Sequence, residues 1–347
     1  MTDLTFSEDY KVFLENIKTT IRTAQVRAAL AANETLIRLY WEIGKNIVAK
    51  QEALGWGASV VEQLAIDLKR EFPDASGYSR TNIFYFQRFY QYYKDASEKV
   101  QQLVVQIPWG HNILIFRKIK DLKAAEFYLL STIENGWSRN ILDLQIDTQL
   151  HERQGKAITN FSRTLPSPQS ELAEQTLKDP YIFSFLSLEK EAHELDMERQ
   201  LVKHVVDLLL EMGAGFAFIG RQYSLEIGAK TYALDLLFYN YKLRCFFVVD
   251  LKMEAFKPEF AGKMNFYLSG VDDLLKSAED KPSIGLVLCR SKDHIEVEYA
   301  LRDLNKPIGV SEFQLTNVLP ANLRSSLPTV EDLERELNER LKHGGVS

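Results

Sequence analysis

From residue 8 to about residue 150, apolar positions return every three or four residues, the period of helices that bury one face. In LIRLYWEIGKNIVAKQ the stripe is Leu36, Leu39, Tyr40, Ile43 and Ile47; in ASVVEQLAIDLKREF it is Val60, Val61, Leu64 and Leu68. Ser59 is placed to cap the latter helix, with Glu62 three residues on as its capping-box partner. Pro73 and Gly77 stop that helix, and Ser79 starts the aromatic-rich SRTNIFYFQRFYQYY. Ile107-Pro108-Trp109-Gly110 is a break, after which HNILIFRKIK resumes. The pattern predicts an all-helical domain over residues 1–160.

TLPSPQSELAEQTLKDPY follows, with Pro166, Pro168 and Pro180 among polar residues, so residues 161–185 read as an extended linker. Beyond it the period changes. EAHELDMERQLVKHVVDLLLEMG reads as a helix ended by Gly213 and Gly215. FAFIGRQYSLEI, TYALDLLFYN and RCFFVVDLK are strand-like runs, with Gly228 in the first turn. EFAGKMNFYLSGVDDLLKSA is helical, with Phe260, Met264, Tyr267, Val271 and Leu274 on one stripe. SIGLVLCR is a nearly all-apolar strand of the buried kind, IEVEYALRDL a helix, and KPIGVSEFQL a last strand. The order α-β-β-β-α-β-α-β predicts α/β layers around a mixed sheet over residues 186–320, so the chain as a whole is α + α/β. Residues 329–342 repeat as a charged amphipathic helix, making 321–347 a packing or oligomer contact.

Composition narrows the class. The length of 347 residues suits two or three domains, and 46% hydrophobic with 26% charged residues excludes a disordered or low-complexity chain. Two cysteines are too few for a disulfide scaffold or a thiolate zinc site. No apolar run approaches a membrane span, and the charged start has no signal-peptide core, so a soluble cytoplasmic protein is expected. The net charge of −6 gives no support to nucleic-acid binding, but its distribution is uneven. Residues 1–160 carry +1, the remainder −7, and residues 79–123 alone +5. A local patch can act where net charge does not. FPDASGYSRTNIFYFQRFY has the outline of a helix-turn-helix, whose second helix can enter the major groove. Arg80 and Arg88 lie on that helix, Thr81 and Asn82 near its start could reach base edges, and Arg117 and Lys118 extend the basic stretch. The plainer alternative is a solvated helical face.

Candidate chemistry concentrates in the second half. Asp250 and Lys252 are two apart on a strand and point the same way. Asp235 lies among Leu234, Leu236 and Leu237, where a carboxylate is costly to bury unless it is paired or holds a cation. A hairpin would bring Asp235 beside Asp250. Two carboxylates with a lysine suit a hard, oxygen-liganded cation, and the lysine can orient a water for attack on a phosphodiester. On the preceding helix Glu198 shares the inward face with Leu201, Val205 and Leu209, whereas Asp207 falls on the opposite face. A buried Asp–Lys ion pair steadying the sheet edge is the alternative. Gln222 ends a strand and either faces this cluster or makes a strand-end hydrogen bond. The six histidines show no ligand spacing, and there is no phosphate loop, serine elbow or Cys–His pair.

This layout resembles the PD-(D/E)XK nuclease superfamily, whose core is α-β-β-β-α-β. The phrases GFAFIGRQ, YALDLLFYN, FFVVDLK, AGKMNFYLSGVDD and PSIGLVLC are similar to the YhcG family of nucleases. So, in the first half, are LYWEIGKNIV, GWGASVVEQL, ENGWSRNIL, ERQGKAITNF and LPSPQSELAEQTLKDPY. The resemblance implies a restriction-endonuclease-like nuclease core at 186–320 behind a helical module that binds nucleic acid or protein. It implies a Mg²⁺- or Mn²⁺-dependent nuclease, with DNA the expected substrate and a homo-oligomer a natural way to cut two strands. Asp235, Asp250 and the backbone carbonyl of Leu251 would hold the metal, Lys252 would position the nucleophile, and Glu198 matches the superfamily's helix acid. Leu234 stands where the motif has proline, and Asp250 replaces the commoner glutamate. Lys263, with Tyr267 one turn later, is the candidate for the polar residue that the following helix often places over the site, the alternative being a plain exposed lysine. The alternative is a non-catalytic protein, binding nucleic acid or another protein, that keeps the nuclease fold.

Overall fold

The computed structural model describes residues 8–54, 59–186 and 193–315. The chain divides into two compact units, Met1–Asp147 and Thr148–Ser347. The first is helical: α1 (Glu8–Leu54), α2 (Ser59–Glu71), α3 (Arg80–Tyr93), α4 (Glu98–Val104), α5 (Trp109–Lys118), α6 (Leu122–Asn135) and α7 (Arg139–Asp147). Local chemistry sets their ends. Ser79 Oγ accepts the Asn82 N–H at 3.2 Å to cap α3, and Asp121 accepts the Ala124 N–H at 2.8 Å to cap α6. Ser59, expected as the cap of α2, is itself helical. Ile83, Phe86, Phe89 and Tyr93 form the buried face of α3, with the Phe86 ring stacked 4.2 Å from Tyr40 of α1. Gly44 permits that approach, because a Cβ there would lie 2.1 Å from the Phe86 carbonyl oxygen. Among the described residues no helix is long and apolar enough to cross a membrane.

The second unit contains helices α8 (Leu150–Arg153), α9 (Phe161–Thr164), α10 (Gln169–Thr176), α11 (Glu194–Lys203), α12 (Val205–Met212), α13 (Pro258–Leu274) and α14 (His294–Leu301). Its strands are β1 (Ile158–Thr159), β2 (Tyr181–Ile182), β3 (Phe216–Ile227), β4 (Lys230–Asn240), β5 (Cys245–Ala255), β6 (Ile284–Ser291) and β7 (Ile308–Gln314). The sheet runs β1-β7-β6-β5-β4-β3, with β2 added to β7. β3, β4 and β5 are antiparallel neighbours; β5, β6 and β7 are parallel, with α13 and α14 as crossovers. One face of the sheet buries Leu236, Phe247, Val249 and Leu251 against Met197, Leu201 and Leu208. The other buries Leu234, Val248 and Val287 against Phe260, Met264 and Leu268. The expected α-β-β-β-α-β core and mixed sheet are therefore present.

The expected linker over 161–185 is folded. It contains α9, α10 and β2, and buries Phe161, Ala173, Leu177, Tyr181 and Phe183 in the sheet core. Prolines do not exclude this: Pro168 immediately precedes α10, where the missing N–H would have had no helical partner. Glu211 of α12 fastens the segment, lying 2.6 Å from Arg153 and 3.4 Å from Lys178, all three buried. The sheet unit thus begins near residue 148 and not at 186. The single helix expected before β3 breaks at His204 into α11 and α12. The helix expected within 321–347 lies outside the described residues.

Candidate active site

The ladder between β4 and β5 runs from Asn240↔Cys245 to Leu236↔Val249 and stops there. The next register position would set Asp235 opposite Asp250. No backbone pair forms at that position; instead Asp235 Oδ2 accepts the Leu251 N–H at 2.8 Å. A side chain thus takes over where the strands part. Asp250 and Lys252 lie on the α13 side of β5, as strand alternation requires.

Lys252 is the buried hub. Its Nζ lies 3.0 Å from Asp250 Oδ2, 4.0 Å from Asp235 Oδ2 and 3.4 Å from Glu194 Oε2, and donates to the Leu251 carbonyl at 2.8 Å. Lys263, with 42% of its side chain exposed, donates to Asp250 Oδ1 at 3.1 Å and sits 5.2 Å from the centre of the Tyr267 ring. On the other flank Gln222 Nε2 lies 2.8 Å from both Glu198 carboxylate oxygens and 3.4 Å from Asp235 Oδ1. Arg221 stands 3.9 Å from the same glutamate. The structure therefore brings Glu198, Gln222, Asp235, Asp250, Lys252 and Lys263 into one contiguous cluster, with the Leu251 carbonyl and Tyr267 at its edge. Gln222 faces the cluster and does not make a strand-end bond.

Burial, then the neighbouring charge of Asp250, pushes the Asp235 carboxyl up to about 7. Burial also raises Glu198. Burial opposes charge on Lys263, but Asp250, Tyr267 and Asp235 together outweigh it and hold that ammonium above the ordinary lysine range.

The donor set suits a hard cation. Asp250 Oδ2 is buried and has no hydrogen-bond partner: the 3.0 Å contact with Lys252 is an ion pair without hydrogen-bond geometry. Among the described residues no three His, Cys, Asp or Glu side chains group as a metal-ligand set. The oxygens that could hold a cation are those of Asp235 and Asp250 with the Leu251 carbonyl.

Gln222 carries a non-glycine φ of 47°, next to a register shift between Phe218 and Gly220. The left-handed region costs a residue with a Cβ about 1–2 kcal/mol. Gln222→Gly and Gln222→Ala delete the same amide, so their difference isolates the backbone. Thermal unfolding is expected to show the glycine variant more stable by about 1–2 kcal/mol. Equal stability would mean that the backbone is not held in this region.

Sequence reasoning missed Glu194, although it lies four residues before Glu198 and so one turn along the same helix face. In the helical unit the expected contact residues do not behave alike. Arg88 and Arg117 are exposed, and Arg80 is exposed 3.8 Å from Glu62. Lys118 is held by two carboxylates, 2.5 Å from Asp143 and 2.7 Å from Asp147. Asn82 is engaged internally, donating to the Gly77 carbonyl at 3.0 Å and accepting the Trp109 Nε1–H at 3.2 Å. Its side chain cannot reach a base edge without giving up the turn.

The family model of the YhcG PDDEXK nuclease domain matches residues 174–328, and that of the DUF1016 N-terminal domain matches residues 16–153. Among curated relatives, the chain is similar to "Putative nuclease YhcG" of Escherichia coli (strain K12). The two are 29% identical over 88% of this chain and 90% of that protein. No solved structure matches the chain.

Proposed function

The chain belongs to the YhcG family of PD-(D/E)XK nucleases, and from that premise we propose that it hydrolyses phosphodiester bonds in DNA with Mg²⁺ or Mn²⁺. The observation that carries this reading is the buried carboxylate pair where β4 and β5 stop pairing, with one Asp250 oxygen lacking a hydrogen bond. A cation bound by Asp235, Asp250 and the Leu251 carbonyl would supply Lewis acidity to the scissile phosphate and lower the pKa of an attacking water. Lys252 orients that water and donates to the phosphoryl oxygens as charge builds on them. Lys263, at the open side of Asp250, meets the phosphate next to the cleaved bond. Glu198 and Gln222 are positioning residues that fix Asp235 through the 2.8 Å and 3.4 Å amide contacts.

The test is cleavage of duplex, single-stranded and branched DNA, and of RNA, with Mg²⁺, Mn²⁺ or chelator. Cation-dependent DNA cleavage, absent from Asp250→Ala, is the expected result. Binding without cleavage under every cation would identify a non-catalytic protein, and cleavage of RNA alone would change the substrate.

We place the DNA contact on Arg80, Arg88 and Arg117, with Lys118 withdrawn by its two aspartates. Three phosphate contacts correspond to a log–log salt slope of about −2.7 on duplex DNA. Fluorescence anisotropy across salt concentrations is expected to show the triple alanine variant flatter by about that amount, with cation affinity unchanged. An unchanged slope would leave the +5 charge of residues 79–123 as a solvated face.

A further inference from the structure

Strand alternation reverses at one place in the sheet, and the reversal turns an arginine toward the carboxylate cluster. Tyr223 of β3 pairs with Leu234 of β4, and both pack into the apolar layer beneath α13. Arg221 pairs with Leu236, which packs on the opposite face with Met197 and Leu201 of α11. Arg221 and Tyr223 are two apart and should share a face, so the alternation reverses at Gln222, the residue with φ 47°. On the partner strand the same reversal separates Leu234 from Leu236 around Asp235. Regular strands would have set Arg221 on the α13 side with Tyr223. Here it lies on the α11 side, with Nη1 3.9 Å from Glu198 Oε2.

The guanidinium is poorly satisfied there. A separation of 3.9 Å is beyond hydrogen-bond reach, and Gln222 Nε2 already bonds both Glu198 oxygens at 2.8 Å. Glu198 is buried, whereas 34% of the Arg221 side chain is exposed. β3 ends the sheet, so among the described residues no further strand covers this flank. A guanidinium carries five donors in a planar fork that matches two oxygens of a phosphate. Left-handed backbone at a non-glycine residue gathers at ligand sites, where the surroundings hold it in place. The strained Gln222 and the underused donor are adjacent, at the rim of the cluster.

A chain of polar contacts joins this rim to the other. From Arg221 it passes through Glu198, Gln222, Asp235, Lys252 and Asp250, and it ends at Lys263 on α13. Two partly exposed cations therefore bracket three buried carboxylates. Those carboxylates would repel a phosphate backbone laid across them, and a cation at each end offsets the repulsion on either side of the cleaved bond.

We propose that Arg221 binds a backbone phosphate of the DNA strand on the α11 side of the site, opposite Lys263. This rests on the nuclease reading. The contact exists before and during cleavage alike, so it acts on KM and not on kcat. The experiment is fluorescence anisotropy of the full chain with duplex DNA in chelator, across salt concentrations. Arg221→Gln is expected to flatten the log–log slope by about 0.9, the share of one phosphate. Arg221→Lys should keep the slope but lose affinity, because the charge remains and the fork does not. With Mg²⁺, Arg221→Gln should raise KM about tenfold at unchanged kcat. A counter-charge to buried Glu198 would behave differently: Arg221→Gln would lower the melting temperature, and adding Glu198→Gln would restore it. The phosphate contact requires the slope to stay flattened in that double variant. A slope unchanged by Arg221→Gln, a slope restored by Glu198→Gln, or a fall in kcat at constant KM would each overturn this proposal alone. Wild-type protein that binds DNA at no salt concentration would overturn the DNA reading with it.

Discussion

Lys252→Met is expected to lower cleavage by about 10²–10³-fold while leaving cation affinity equal or tighter. The two effects separate because the ammonium occupies cation-like positions without being a ligand. Its Nζ holds the Leu251 carbonyl at 2.8 Å and lies 3.0 Å from Asp250 Oδ2, two of the atoms a divalent ion would take. Methionine keeps the stem packed near Phe260, whose ring centroid is 5.4 Å from the ammonium, and removes only the charge. Two costs follow. The reaction loses the donor nearest the carboxylate pair, and the cation-free fold loses a buried counter-charge. Breaking a buried pair typically costs about 3–5 kcal/mol, lessened here because Lys263 still bonds Asp250. Saturating Mg²⁺ or Mn²⁺ should restore that stability without restoring cleavage. Single-turnover cleavage and calorimetric Mn²⁺ titration read the two quantities separately. Undiminished cleavage would move the role to another group, with Lys263 the first to substitute. Loss of cation binding with retained fold would show that the ammonium helps to build the site.

What the chain reveals by itself depends on the range of the interactions involved. Asp250 and Lys252 are legible because a strand's two-residue period puts them on one side regardless of the rest of the fold. Glu198 is legible from the helical period, and it is buried as that period requires. Gln222 is ambiguous in sequence because its direction depends on a positive φ beside a register shift, and neither has a signature when the residue is not glycine. Lys118 looks like free positive charge until α7 folds back and supplies Asp143 and Asp147. The apparent linker misleads in the opposite direction. Its prolines are visible locally, while the partners that bury Leu177 and Tyr181 come from strands and helices far along the chain. β1 and β2, at two residues each, are too short for any alternation to register. The candidate cluster is thus carried largely by local periods, whereas the extent of the sheet unit is carried by contacts that periodicity does not encode.

Without divalent cation, stability is expected to fall by about 3 kcal/mol between pH 4 and pH 7 through the Asp235 carboxyl. Its carboxyl is raised from 3.8 to about 7, chiefly by burial and then by Asp250. Between those values the folded protein keeps a proton that the unfolded chain has released. Stability therefore decreases as pH rises, at about 1.36 kcal/mol per unit while that difference lasts. This is opposite to an ion-paired surface carboxylate, which gains stability over the acid range. Glu198, also raised by burial, acts in the same direction. A cation binds the deprotonated pair, so its binding must release protons and its stabilisation must grow as pH rises toward and past 7. The melting temperature is therefore expected to be higher at pH 5 than at pH 8 in chelator, with the gap narrowing or reversing in Mg²⁺. Asp235→Asn supplies the control. It removes the titrating group while still accepting the Leu251 N–H, so its chelator profile should be flatter and its response to Mg²⁺ weak. If the wild type melts at the same temperature at both pH values in chelator, Asp235 is not carrying the proton and the carboxylates are not held as a strained pair. If Asp235→Asn retains the full pH slope, the titration belongs to Glu198, and the cation would have to be sought on its side of the cluster.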